Sequence, residues 1–488
     1  MAPSSCAKAT KSSARSDQSR RQSPRGPRSA LALAVLIAAC GGSDATSGSD
    51  GAPPTAASTE TEPPAPDASE PTTSAAPTTS AAPTTPPPVV TEAPPSTDPP
   101  DPGPTAEELN GYIWSERTDS APWSARAGLR VVDLDGRLLL LGGRTPNQST
   151  IPGDSQIWAD VWESNDAGAT WQSLLSGDEP DMWPPRAYFQ AVVKDDAVVV
   201  LGGQDFGLEE NPFCALLEQG LEPPPGLGID PDAPCPEFVP TSQFFNDVWS
   251  STDGVVWEQL TAAAPWSGRA GLSAEVLGDH IYVFGGSQND DSSIIGAGGP
   301  ARIYYNDVWR STDGVDWEQM TDAAPWEPRA GAAAVVRGDR LFLLGGEDGF
   351  TCTPLPDCDA PYFNDVWSTT DGADWELVTE SAGWSPRPGH VCEVVGEIVC
   401  FGGFGLITNP TDMWSSADGA TWTELDTPPW NVTDSAEAKY DFDSTTIVGA
   451  DGDTEIITVG GDRETFDFTD PENYLRVDND VWNFAPQQ

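Results

Sequence analysis

The chain has 488 residues, 38% of them hydrophobic, and carries 76 acidic against 24 basic side chains for a formal net charge of −52. Such a balance argues against a nucleic-acid partner, whose phosphates demand a basic face, and is that of a solvating acidic surface. The 19 Trp supply apolar bulk for a large core.

Residues 1–28 are polar and basic, with Lys8, Lys11, Arg15, Arg20, Arg21, Arg25 and Arg28. A ten-residue apolar run, Ala30 to Ala39, follows and ends at Cys40. A helix of that length cannot cross a bilayer, which takes about 20 residues; a basic lead, a short apolar core and small residues mark an export signal. The step Ile37-Ala38-Ala39-Cys40-Gly41 resembles the lipobox of bacterial lipoproteins. That resemblance implies a signal over 1–39, lipidation of Cys40, and a protein held on the outer face of the cell membrane. Residues 40–108 are dominated by Ser, Thr, Pro, Ala and Gly, with doubled Pro-Thr-Thr-Ser-Ala-Ala units from Pro71 to Ala82. This composition has nothing to bury and predicts a disordered, Pro-extended tether.

From Leu109 to Gln488 one unit recurs at about sixty residues, and a fixed period is the signature of a repeat architecture. Trp162, Trp249, Trp309, Trp367, Trp414 and Trp482 follow an Asp-Val or Asp-Met step. Trp171, Trp257, Trp317, Trp375, Trp422 and, out of order, Trp114 stand after an Asp/Gly turn. Trp123, Trp183, Trp266, Trp326, Trp384 and Trp430 precede an Arg step, and only Trp158 lies outside these columns. Gly-Gly pairs begin at Gly142, Gly202, Gly285, Gly345, Gly402 and Gly460. Short apolar runs joined across Asp-Gly turns predict antiparallel hairpins, four strands to a repeat. Six such repeats predict an all-β, six-bladed β-propeller. The last repeat stops at Asp480-Val481-Trp482-Asn483-Phe484, and Tyr112 to Arg117 match the strand it lacks. The N-terminal strand is therefore expected to complete the last blade.

The Gly-Gly ends, the Asn-Asp-Val-Trp steps and the Pro-Arg-x-Gly step at Pro328 to Gly331 resemble kelch repeats. The turn Ser164 to Trp171 is similar to the Asp box of sialidase-type propellers. These resemblances span Leu109 to Phe484 and imply a fold; propellers of both kinds include enzymes, glycan binders and docking scaffolds.

In a four-stranded blade the 2–3 loops and the inter-blade links share one face of the disc. The 2–3 loops vary from the tight Gly403–Asp412 to the long Gly203–Asp247, and variable loops on a rigid frame are where binding usually sits. Arg126, Arg186, Arg269, Arg329 and Arg387 emerge in the links on that face. Arg suits carboxylates and phosphates, so the five are expected to ring a ligand mouth, unless each stacks on its Trp or pairs with a blade Asp. Blade six has no such Arg after Trp430. Trp158 is a candidate for stacking on a sugar.

Six Cys fall in the propeller, and an even number in an exported domain points to disulfides: Cys214 with Cys235, Cys352 with Cys358, and Cys392 with Cys400 across a hairpin centred on Gly396. No metal site and no cofactor are expected, since His280 and His390 are the only histidines. No catalytic set stands out. The expected function is a monomeric, surface-tethered binding module for a glycan or protein partner, with a glycan-processing enzyme or an assembly scaffold as alternatives.

Overall fold

The computed structural model describes residues 103–147, 155–210, 238–289, 302–349, 362–405, 409–426, 428, 439–463 and 476–487. The signal, Cys40, Trp430, and Cys214, Cys235, Cys352 and Cys358 lie outside the described residues. Among those described, six four-stranded antiparallel sheets form a six-bladed β-propeller.

Blade one is β2 (Arg130–Leu134), β3 (Arg137–Pro146), β4 (Ser155–Ser164) and β5 (Gln172–Leu175). Blade two is β6 (Gln190–Lys194), β7 (Ala197–Leu201), β10 (Val248–Ser251) and β11 (Glu258–Thr261), with a separate hairpin of β8 (Gln204–Glu210) and β9 (Phe238–Phe244). Blade three holds β12 (Ala270–Leu277), β13 (His280–Gln288), β15 (Val308–Ser311) and β16 (Glu318–Thr321), with β14 (Ile303–Tyr304) pairing β13. Blade four is β17 (Ala333–Arg337), β18 (Arg340–Glu347), β19 (Tyr362–Thr369) and β20 (Glu376–Thr379). Blade five is β21 (His390–Val395), β22 (Glu397–Gly402), β23 (Met413–Ser416) and β24 (Thr423–Leu425). Blade six takes β25 (Asp443–Val448), β26 (Thr454–Val459), β27 (Val481–Pro486) and, as its outer strand, β1 (Tyr112–Thr118).

The ring thus closes as the sequence predicts. β1 lies antiparallel to β27 from Tyr112 opposite Pro486 to Glu116 opposite Trp482. Trp114 sets its ring 5.0 Å from Phe484 and 5.2 Å from Phe401 of blade five. Packing begins a few residues ahead of the expected Leu109. Gly103 and Pro104 lie against the Gly396 turn, Ala106 N–H donates to Glu397 Oε1 at 3.0 Å, and Leu109 is buried between blades five and six.

Each repeated motif has a physical task. In the turn of blade three, Gly314 N–H donates to Ser311 Oγ at 2.8 Å, and the N–H groups of Val315 and Asp316 donate to Asp313 Oδ1. Those backbone donors hold the Asp313 carboxyl below the usual range, and Trp317 Nε1 closes the turn on Gly314 O at 3.2 Å. The Trp of each described link stands edge-on to the turn Trp of its blade; Trp326 and Trp375 are 5.8 Å apart at 78°. Such T-shaped pairs add about 0.5–1.5 kcal/mol beyond area burial. Trp123, Trp183, Trp266, Trp326 and Trp384 are all essentially inaccessible. Cys392 and Cys400 face each other across β21 and β22 and are disulfide-bonded, as expected.

Candidate functional site: the loop face and the axis

The five link arginines are buried inside the blades. Arg329 donates Nε to Glu327 O, Nη1 to Gly345 O and to Asp365 Oδ1, and Nη2 to Asp365 Oδ2, all within 3.0 Å. Arg126, Arg186 and Arg269 repeat the pattern on Asp160, Asp247 and Asp307, and Arg387 pairs with Asp412 at 2.6 Å. None of the five is more than 2% exposed. The Asp is the one in the Asp-Val-Trp step, and the Trp two residues on donates Nε1 back to it in five blades. Burial alone would raise the Asp307 carboxyl, but Arg269 and Trp309 hold it below its ordinary value.

The ligand-facing ring of cations expected from the sequence is thus corrected. A guanidinium spent on two carboxylate oxygens and two carbonyls, with no exposed face, serves the blade. Trp158 is engaged within its blade and stays partly exposed. It lies 4.7 Å from the Arg126 guanidinium and donates Nε1 to Thr145 Oγ1 at 2.9 Å. Phe245, Tyr305 and Phe363 stack on Arg186, Arg269 and Arg329 from the matching position, so Trp158 belongs to a fourth aromatic column. Blade six solves the same problem with Lys439, which is buried, ion-paired with Asp478 at 3.1 Å and with Asp480 at closer range. Sequence reasoning missed Lys439 because Trp430 and the cation stand further apart than in the other blades.

Two residues beyond each buried cation the backbone forms an iris around the axis. Gly128 N–H donates to Asp441 O, Tyr188 to Gly128, Gly271 to Tyr188, Gly331 to Gly271, Gly389 to Gly331 and Asp441 to Gly389, at 2.8–3.1 Å. All six residues have φ between +49° and +63°. The iris sits where the first strands begin, at the end of the axis facing the links and 2–3 loops.

Behind it the first strands line a cavity of about 530 Å³. Arg130 Nη1 pairs with Asp443 Oδ1 at 2.6 Å, and Ser444 Oγ donates to Glu393 Oε1 at 2.7 Å. Burial and the neighbouring Glu393 push Glu275 up to about 8; burial pushes Glu393 up to about 7. Among the described residues no group of three or more His, Cys, Asp or Glu side chains could hold a metal ion. His390 is buried against Trp384, and His280 stands beside Tyr282 in blade three; the fold does not bring them together.

On the loop side of the iris, strands two and three run on past the disc. Pairing continues to Pro146 opposite Ser155 in blade one, to Gln288 opposite Ile303 in blade three and to Glu347 opposite Tyr362 in blade four. In blade two it runs from Gln204 opposite Phe244 to Glu210 opposite Phe238. On the opposite face the turns are tight, and Arg337 of one 1–2 turn reaches Ala417 O of the next blade's 3–4 turn. At the centre of the loop side Arg144 donates Nε to Tyr188 Oη and pairs with Asp462, both at 2.6 Å, while Phe404 packs between Tyr362 and Tyr440.

No protein-family model matches the chain. It is 33% identical over 156 residues to the dynein alpha chain of the flagellar outer arm of Chlamydomonas reinhardtii, covering 30% of this chain and 3% of that protein. It is 26% identical over 229 residues to tip elongation aberrant protein 1 of Schizosaccharomyces pombe, covering 44% of this chain and 15% of that protein. The chain thus spans a small fraction of the length of these relatives. A solved structure of YjhT is similar at 16% identity with a TM-score of 0.48, covering 75% of this chain and 96% of that one.

Proposed function

We propose that this chain is an exported binding module, anchored through Cys40, that takes a glycan or protein partner across the loop face of its propeller. The observation that carries the reading is the one-sided outgrowth of strands two and three in blades one to four. Turns on the opposite face stay tight, as frame-serving turns should, whereas extended hairpins on a rigid disc supply contact area. The iris closes the axis beneath this face, so a partner is met on the hairpins and on the surface they surround. The strap at Gly103 to Leu109 joins the disc at the Gly396 turn, on the opposite face.

The test replaces the excursion between Phe206 and Ser242 with a short Gly-Asn turn in the otherwise intact chain. Binding on a glycan array and in crosslinking to neighbouring surface proteins should fall, with the melting temperature little changed. Unaltered capture by the shortened chain would refute the loop-face reading. For the anchor, Cys40→Ser should release the protein from membranes; a membrane-retained variant would refute lipidation.

A further inference from the structure

Four of the six iris positions are glycine, and the frame asks for glycine there. A Cβ at Gly389 would stand 2.6 Å from Asp441 Oδ1, and one at Gly331 would stand 3.2 Å from Pro388 Cβ. Blade two instead places Tyr188 there at φ +55°. A bulky side chain in the left-handed region is strained, and the glycine blades show that the iris forms without it. Asp441 is the other departure, but Asp tolerates this conformation far better.

The Tyr188 ring lies against Gly128, close enough that a Cβ there would approach it at 3.0 Å. Phe206 of the blade-two hairpin stands edge-on to it at 6.3 Å and 87°. The phenol oxygen accepts from Arg144 Nε, and Asp462 neutralises that guanidinium. Tyr188, Phe206, Arg144 and Asp441 are all partly exposed, at the centre of the face where the hairpins rise.

We propose that Tyr188, Phe206 and Arg144 form a carbohydrate-binding centre on the axis of the loop face, holding one neutral sugar ring of a larger glycan. The inference rests on the loop-face reading above and names its ligand. An aromatic face packs against the C–H surface of a sugar. The Arg144–Asp462 pair adds a polar edge with no net charge, and a phenol can both donate and accept. Asp441 adds acceptors beside the ring. An acidic surround disfavours an anionic sugar, and the iris behind Tyr188 stops the ring from passing into the channel. The backbone strain at Tyr188 is the cost of presenting that side chain at the axis, in the way binding sites give up stability for function.

The experiment uses Tyr188→Gly in the full chain, probed on an array of neutral oligosaccharides, with thermal melting read in parallel. Wild type should bind, and the variant should lose about tenfold or more in affinity while its melting temperature holds or rises, because glycine relieves the strain. Tyr188→Phe, which keeps the ring and loses the hydroxyl, should fall between. The proposal is overturned if wild type binds no neutral oligosaccharide, if Tyr188→Gly binds as wild type does, or if melting temperature and binding fall together, which would make Tyr188 a brace. Binding lost on shortening the Phe206–Ser242 excursion but kept in Tyr188→Gly removes this centre and leaves the loop-face reading standing. Binding that neither change touches removes both.

Discussion

Lys439 is ion-paired with Asp480 in the place where Arg329 holds Asp365 in blade four. Blade six therefore keeps the buried cation–carboxylate unit with a different cation. Removing one partner of a buried pair leaves an uncompensated charge and typically costs about 3–5 kcal/mol. Arg329→Ala and Lys439→Ala should each lower unfolding stability by roughly that much. Arg329→Lys should recover only part of the loss, because an ammonium cannot reach both Asp365 oxygens and Gly345 O together. Urea melts check this, and a loss below about 1 kcal/mol in either alanine variant would assign the pairs to the weak surface class.

Much of this frame was legible in the sequence, because a residue that serves the repeat recurs with the repeat. The Asp-Val-Trp step, the Gly-Gly pair and the Asp-Gly turn specify blade number, strand count and the closing strand. The site was less legible for the same reason. Arg269 and Trp158 looked available for a ligand because a sequence does not show that Asp307 and Arg126 already hold them. Tyr188 carries a signal in the sequence itself: it breaks the Arg-x-Gly step where the other Arg-bearing blades keep glycine.

The closing strand should carry the ring. Tyr112 to Thr118 supplies the whole outer edge of blade six and sets Trp114 against Phe401 and Phe484. Deleting Leu109 to Thr118 should sharply lower the melting temperature and expose the edge of β27 to other chains. The milder Leu109→Ala, which empties a fully buried site, should cost about 2–5 kcal/mol. A deletion variant that melts as wild type does would contradict the closure.

The Cys392–Cys400 bridge spans eight residues and constrains the unfolded chain modestly. Cys392→Ala with Cys400→Ala should cost about 2 kcal/mol, without loss of the β21–β22 pairing that neighbouring residues also hold. Non-reducing peptide mapping should find these two sulfurs joined in exported protein, and free thiols at both would contradict the bridge.

Stability should pass through a maximum on the acid side of neutrality, for reasons that differ on the two limbs. On the alkaline limb, burial and Glu393 raise Glu275 from 4.5 to about 8, and burial raises Glu393 from 4.5 to about 7. Between pH 4.5 and those values the unfolded chain has released protons that the folded chain still holds. The folded state binds more protons, so stability falls as pH rises through that window and levels off above about 8. On the acid limb, burial and the neighbouring Arg387 push His390 from 6.5 down to about 3. Below pH 6.5 the unfolded chain gains a proton that the folded chain refuses, so stability falls with pH until about 3. Asp307 adds to this limb, since its folded carboxyl stays ionised below its ordinary value. Glu393→Gln should make the alkaline limb shallower, with burial still raising Glu275, and leave the acid limb in place. His390→Leu should do the reverse, because Leu129 and Leu272 occupy the matching core position in blades one and three. Melting temperatures from pH 4 to 9 for the three chains check both signs; a wild-type curve that rises steadily across the alkaline window would contradict the raised Glu275 and Glu393.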